Sequence, residues 1–196
     1  MLLFALYRTL RFCPTRRRFL ARRVFRTEVI LRGDIVEESC FTVLLVDDYE
    51  PFRRFVVSKL QAQPQLRILS EACDGAEAVQ KAEELQPDLI LLDIGLPSLN
   101  WIEAARRIQQ VSPNTKILFV SENRSTDIAE EALRAGGLGY VVKSDAEKDL
   151  LPGIDAALHG NRFISASLAG HFLVTTTLSA TQTMLSWIIT INLGIH

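Results

Sequence analysis

Three short apolar runs constrain this chain more than anything else in it: FTVLLV at 41–46, PDLILLD at 87–93 and KILFVS at 116–121. They are almost uninterrupted by polar residues, as expected of strands covered on both faces of a sheet. Two weaker runs, RILSEAC at 67–73 and YVVK at 140–143, complete a set of five. The segments between them have helical spacing. PFRRFVVSKLQAQ follows Tyr49 and Glu50, with Pro51 suited to a first turn and Phe52, Phe55, Val56 and Leu60 on one face. GAEAVQKAEELQ at 75–86 places Ala78, Val79, Ala82 and Leu85 together. IEAARRIQQV at 102–111 ends at Ser112–Pro113, and STDIAEEALRAGG at 125–137 ends in a glycine stop. Ser144 and Glu147 have the spacing of a capping box, which opens a last helix reaching about His159. Five alternations of strand and helix with right-handed crossovers make an α/β, doubly wound, five-stranded parallel sheet with helices on both faces, spanning residues 41–160.

The ends differ from this body. Residues 1–33 carry nine arginines against one acid, Glu28, in a chain whose net charge is −1, so the body is acidic. We expect residues 1–40 to be a basic extension, disordered or an amphipathic helix. It fits a helix lying on an anionic membrane surface, an arginine-rich leader, or sequence upstream of the true start. Residues 161–196 are expected to be a linker and an uncharged tail. Phe172 to Ile195 has no charged residue, but its many threonines dilute it below an ordinary membrane span. The three cysteines, Cys13, Cys40 and Cys73, match no metal-binding spacing and point to a reducing, cytoplasmic setting. Cys73, in an apolar run, is expected in the core.

In a parallel α/β sheet the carboxyl ends of the strands share one edge, where ligands bind. Asp47 and Asp48 end the first strand, Asp93 the third, Ser121 the fourth and Lys143 the fifth. Singly, each has a plain explanation: a turn aspartate, a capping hydroxyl, a solvated lysine. Together they are three carboxylates, one hydroxyl and one ammonium, a set suited to a divalent cation and a phosphoryl group. Adjacent carboxylates repel, and Mg2+, which takes few carboxylates plus waters, relieves that cost. Asp93 precedes IGLP, where Gly95 and Pro97 force a tight loop, and an exposed carboxylate there can be a nucleophile on phosphorus. Lys143 can reach phosphate oxygens as a point charge, and Ser121 can donate one hydrogen bond.

The ordered set of DD, D-x-x-LP, S and K at strand ends resembles the receiver domain of bacterial two-component response regulators, over about Thr42 to Ser167. DIGLPSLN, IEAARRI and ALRAGGLGYVVKS resemble the NarL/FixJ (LuxR-type) subfamily. The resemblance implies a flavodoxin-like (CheY-like) strand order 2-1-3-4-5. It implies that Asp93 accepts a phosphoryl group from a histidine kinase or phosphotransfer protein. Asp48, Asp93 and the Gly95 carbonyl would ligate Mg2+, with Asp47 holding it through water. Lys143 would pair with the phosphoryl group, and Ser121 and Tyr140 would form the switch. Output would pass through helix 4, strand 5 and helix 5, and a dimer would use that face or helices 1 and 5.

Two departures from the family pattern stand out. Trp101 follows Asn100 where the family loop has glycine, so a strained, tolerated loop is expected, relieved by Trp101→Gly. Beyond GNRFISASLAG, no basic recognition helix follows, so specific DNA binding is not expected from this chain, and membrane contact of the ends is left open. Gly95 offers no side chain to orient water, although Asn123 could, so a long-lived phosphoryl group is expected. The leading function is a phosphorylatable switch in a phosphorelay, not a conventional enzyme. A truncated LuxR-type regulator acting only through heterodimers is the alternative. An aspartate-nucleophile phosphatase is disfavoured because DDYEP lacks that class's D-x-D motif.

Overall fold

The computed structural model describes residues 26–31, 34–97 and 99–168. In chain order the elements are β1 Arg26–Leu31, β2 Asp34–Ser39, β3 Phe41–Val46, α1 Glu50–Gln61, β4 Leu66–Ala72, α2 Gly75–Leu85, β5 Leu89–Asp93, α3 Trp101–Val111, β6 Lys116–Ser121, α4 Thr126–Arg134, β7 Gly139–Val142, a 3-10 turn at Lys143–Asp145, α5 Ala146–Leu158 and β8 Phe163–Ile164. The main sheet is parallel, in the order β4-β3-β5-β6-β7-β8. Its first five strands have the 2-1-3-4-5 order that the resemblance implied.

Successive side chains of a strand face opposite sides of a sheet, and the central strands sort their apolar residues accordingly. Leu44, Val46, Ile90, Leu92, Ile117 and Phe119 meet alanines of α2, α3 and α4 on one face. Val43, Leu45, Leu89, Leu91, Leu118 and Val120 meet Val56 and Leu60 of α1 and Leu150, Ile154 and Ala157 of α5 on the other. Small residues let the helices approach closely. A Cβ at Gly153 would lie 3.0 Å from Val141 Cγ2, so this position holds α5 tight against β7.

Several expectations are corrected. The basic extension is not wholly disordered or helical, because β1 and β2 pair as an antiparallel hairpin; residues 1–25 and the 172–195 tail lie outside the described residues. A sixth strand joins the sheet where a linker was expected. β8 pairs with β7, Phe163 N–H donates to the Leu138 carbonyl (3.0 Å), and Ser165 N–H donates to the Tyr140 carbonyl (2.9 Å). The fully buried Ser165 hydroxyl accepts from Val142 N–H (3.0 Å), and Leu168 enters the core cluster that holds Tyr140. β8 can come this close because residue 139 is glycine: a Cβ there would stand 2.7 Å from the Phe163 carbonyl oxygen.

The capping box at Ser144 and Glu147 does not form. Asp145 is the N-cap residue of α5, Ser144 Oγ accepts from Arg124 Nη2 (2.6 Å), and Glu147 pairs with Lys59 of α1. A reciprocal cap forms at α2 instead. Asp74 Oδ1 accepts from Ala76 and Glu77 N–H, while Glu77 Oε2 accepts from Cys73 N–H. Cys73 lies just past the end of β4 and is exposed, not in the core. At the far end of α2, Gln86 has φ 47° and its Nε2 donates to the carbonyls of Ala82, Glu83 and Val111. That side chain satisfies carbonyls at the ends of two helices and offsets the cost of a left-handed backbone. Among the described residues no helix is long and apolar enough to cross a membrane.

Candidate functional site

Asp47 and Asp93 are buried at the carboxyl ends of β3 and β5, while Asp48 is exposed beside them. One carboxylate oxygen from each lies within 4.8 Å of the others. Tight local structure aims these groups. Tyr49 N–H donates to Asp47 Oδ1 (2.9 Å), which folds the carboxylate back over the entry to α1. Arg53, one turn into α1, donates from Nη1 to the Asp47 carbonyl (2.9 Å) and from Nε to Glu71 of β4 (3.1 Å). Asp93 Oδ1 accepts from Gly95 N–H (3.2 Å).

Lys143 begins the 3-10 turn directly after β7, and its side chain is only 5 % exposed. Its Nζ is 2.7 Å from Asp47 Oδ2 and 3.0 Å from Asp93 Oδ2, and it lies over the ring of Phe52, 4.9 Å from the centroid. Burial alone would lower the lysine's pKa. The hydrogen bond to Asp47 and the charge of Asp93 outweigh it and hold the ammonium above its usual range. Asp47 is nevertheless also raised. Burial of its carboxylate, joined by the negative charge of Asp93, overrides the hydrogen bond from Lys143. Two buried carboxylates share a single ammonium, so the pocket holds surplus negative charge even before Asp48 is counted. Hard carboxylate oxygens gathered this closely suit a cation such as Mg2+.

Ser121 ends β6, and its Oγ accepts from Asn123 N–H (3.1 Å). Tyr140 is wholly buried. Its hydroxyl donates to the Asn123 carbonyl (2.8 Å). Burial, aided by the Asp93 charge, raises its pKa. Asn123 is committed elsewhere as well: its Oδ1 accepts from Ser125 N–H (2.7 Å) at the start of α4. The structure therefore brings Asp47, Asp48, Asp93 and Lys143 together at one sheet edge, with Gly95 beside Asp93. Ser121 at the end of β6 and Tyr140 of β7 both meet the backbone of Asn123.

Trp101 does not strain its loop. It is the first residue of α3, capped by Asn100, whose Oδ1 accepts from Ile102 N–H (2.8 Å). Among the described residues the one non-glycine with positive φ is Gln86. The Trp101 ring packs edge-on against Phe119, with centroids 5.3 Å apart. The sequence reading missed Phe52 and Arg53 as neighbours of the site. The signal available was their place in the first turn of the helix that follows the acidic pair.

The described receiver domain of response regulators, as a sequence family, matches residues 43–155. The transcriptional regulatory protein LiaR of Bacillus subtilis (strain 168) is 34% identical over 131 residues, covering 67% of this chain and 62% of that protein. The nitrate/nitrite response regulator protein NarL of Escherichia coli (strain K12) is 32% identical over 127 residues, covering 65% of this chain and 59% of that protein. The chain thus spans less than two thirds of the length of these curated relatives. A crystal structure of a LuxR-family two-component response regulator from Aurantimonas sp. SI85-9A1 has a TM-score of 0.67 and 31% identity, covering 71% of this chain and 99% of that one. The response regulator domain of Thermotoga maritima CheB has a TM-score of 0.55 and 34% identity over 61% of this chain and 97% of that one.

Proposed function

Because this chain belongs to the response regulator receiver domain family of two-component signalling, we propose that Asp93 is its phosphoacceptor and that the pocket around it is the transfer site. The observation that carries this reading is the convergence of three carboxylates and Lys143 at the carboxyl edge of the sheet. A carboxylate oxygen of Asp93 attacks the phosphorus of a phosphohistidine on a kinase or phosphotransfer protein. The P–N bond breaks, its electron pair returns to the imidazole, and the new P–O bond makes a mixed anhydride at Asp93. Catalysis is positioning plus charge neutralisation near an in-line transfer. Asp48, Asp93 and the Gly95 carbonyl would hold Mg2+, with Asp47 acting through a water. When bound, the ion supplies positive charge to the oxygens of the transferring group. Lys143, already against Asp93, supplies the protein's own positive charge.

Ser121 would turn toward the phosphoryl group, and the inward Tyr140 would report that movement to the face formed by α4, β7 and α5. β8 already covers the outer edge of β7, which favours α1 and α5 as the dimer surface. The phosphoryl group is long-lived in this reading, because residue 95 has no side chain and the Asn123 carboxamide oxygen is bound to the start of α4. Radiolabel transfer from an autophosphorylated histidine kinase tests the proposal. The wild-type chain takes the label with Mg2+ present, and Asp93→Asn does not. Equal labelling of both proteins would refute it.

A further inference from the structure

The Lys143 ammonium has neighbours of two kinds. Asp47 and Asp93 are charged, and the face of Phe52 is neutral. The charged neighbours do not stay constant through the proposed cycle. A cation bound by the aspartates competes with the ammonium for their oxygens, and a phosphoryl group on Asp93 replaces one carboxylate by an ester-like oxygen and a dianion. The ring of Phe52 keeps the same charge distribution throughout. It attracts a cation through its quadrupole, it cannot bind a metal, and it cannot accept the proton or the phosphoryl group.

We propose that Phe52 is a positioning residue, whose ring face holds the Lys143 ammonium at the phosphoryl-transfer site while its anionic partners change. Local structure supports the role. Pro51 fixes the first turn of α1 just ahead of Phe52. The ring is half-buried, packs against the core on the α1 and α5 side, and lies tilted 5.7 Å from the ring of Phe55. Arg53, the next residue, is tied to the Asp47 carbonyl at the end of β3 and to Glu71 of β4, so this turn of α1 is anchored to the strand end that carries the acidic pair. The ring is therefore held in place independently of Lys143. An apolar side chain of similar bulk would fill the space but offer no negative face.

This role rests on Asp93 being the phosphoacceptor, so the test has one arm that needs no phosphorylation. In NMR spectra of the full chain, the Lys143 side-chain protons near Nζ are shifted upfield by the Phe52 ring current, and Phe52→Leu abolishes the shift. In the second arm, labelling by acetyl phosphate at saturating Mg2+ slows about three- to thirtyfold in Phe52→Leu. Phe52→Tyr and Phe52→Trp, which keep a π face, stay within about twofold of wild type. Labelling of Phe52→Leu at the wild-type rate, or equal slowing in the Tyr and Trp variants, would overturn the role. An unlabelled wild-type chain would instead overturn the phosphoacceptor reading, while the ring-current shift would still report the contact.

Discussion

Lys143 Nζ stands 2.7 Å from Asp47 Oδ2, and the two side chains are 5 % and 2 % exposed. A buried pair like this is costly to break from one side, because the remaining charge is left without compensation. Here Asp93 shares the same ammonium, 3.0 Å from Nζ.

The folded-state pKa of Lys143 is raised above the ordinary lysine value. Its ion pairs therefore contribute stability that is fully present below the unfolded pKa of about 10.4 and is lost as pH rises through the folded value. Urea unfolding midpoints measured without divalent cations should hold steady from neutral pH to about 10 and then decline. Lys143→Met should remove this site's share of the alkaline decline. A decline of unchanged size in that variant would contradict the assignment.

Asp47 is raised as well, so its ionisation works against the folded state as pH climbs from the acid side. Relative to the wild-type chain, Asp47→Asn should therefore gain in stability as pH rises from the acid side in the absence of Mg2+, because it lacks the carboxylate whose ionisation opposes folding. Mg2+ should stabilise the wild-type chain, by about 2.7 kcal/mol when its concentration is a hundredfold above Kd. The same titration should stabilise Asp47→Asn and Asp48→Asn far less. Thermal melts with and without Mg2+ measure both effects, and equal stabilisation of all three proteins would count against a shared site.

Trp101→Gly should lower stability, contrary to what loop sequence alone suggests. The substitution deletes an edge-on aromatic contact with Phe119 and puts the most flexible residue at the start of α3. A loss of about 2 kcal/mol in chemical denaturation is expected. A rise in stability would show that the loop is strained after all.

Ser165→Ala should cost about 1–3 kcal/mol, because Val142 N–H would be left buried without an acceptor. Hydrogen exchange should speed up at Val142, next to Lys143, and along β8. Unchanged protection there would mean that the strand is held by its other bonds alone.

Most of the sheet was readable because its central strands are buried on both faces, so β3, β5 and β6 are unbroken apolar runs. The site was readable for a related reason: it consists of polar residues placed where those runs stop. β8 was not readable, since two residues, Phe163 and Ile164, carry no periodicity and pair only because the edge of β7 is open and Gly139 admits them. The cap of α5 was misplaced because Ser144 and Glu147 have partners in other elements, Arg124 and Lys59, which local spacing does not register. Trp101 was misjudged because family spacing suggested a left-handed position, whereas here the residue starts a helix and finds Phe119 as a partner. Phe52 was read as a core residue of α1, and its second contact, with an ammonium arriving from the far end of β7, is a tertiary fact.

The account depends most on Asp93 as the acceptor of the phosphoryl group. Intact-mass and peptide-mapping spectrometry after incubation with acetyl phosphate and Mg2+ tests this directly. A single phosphoryl adduct on the peptide bearing Asp93, absent from Asp93→Asn and without Mg2+, is the predicted result. An unmodified chain, or an adduct mapping to any other residue, would contradict it.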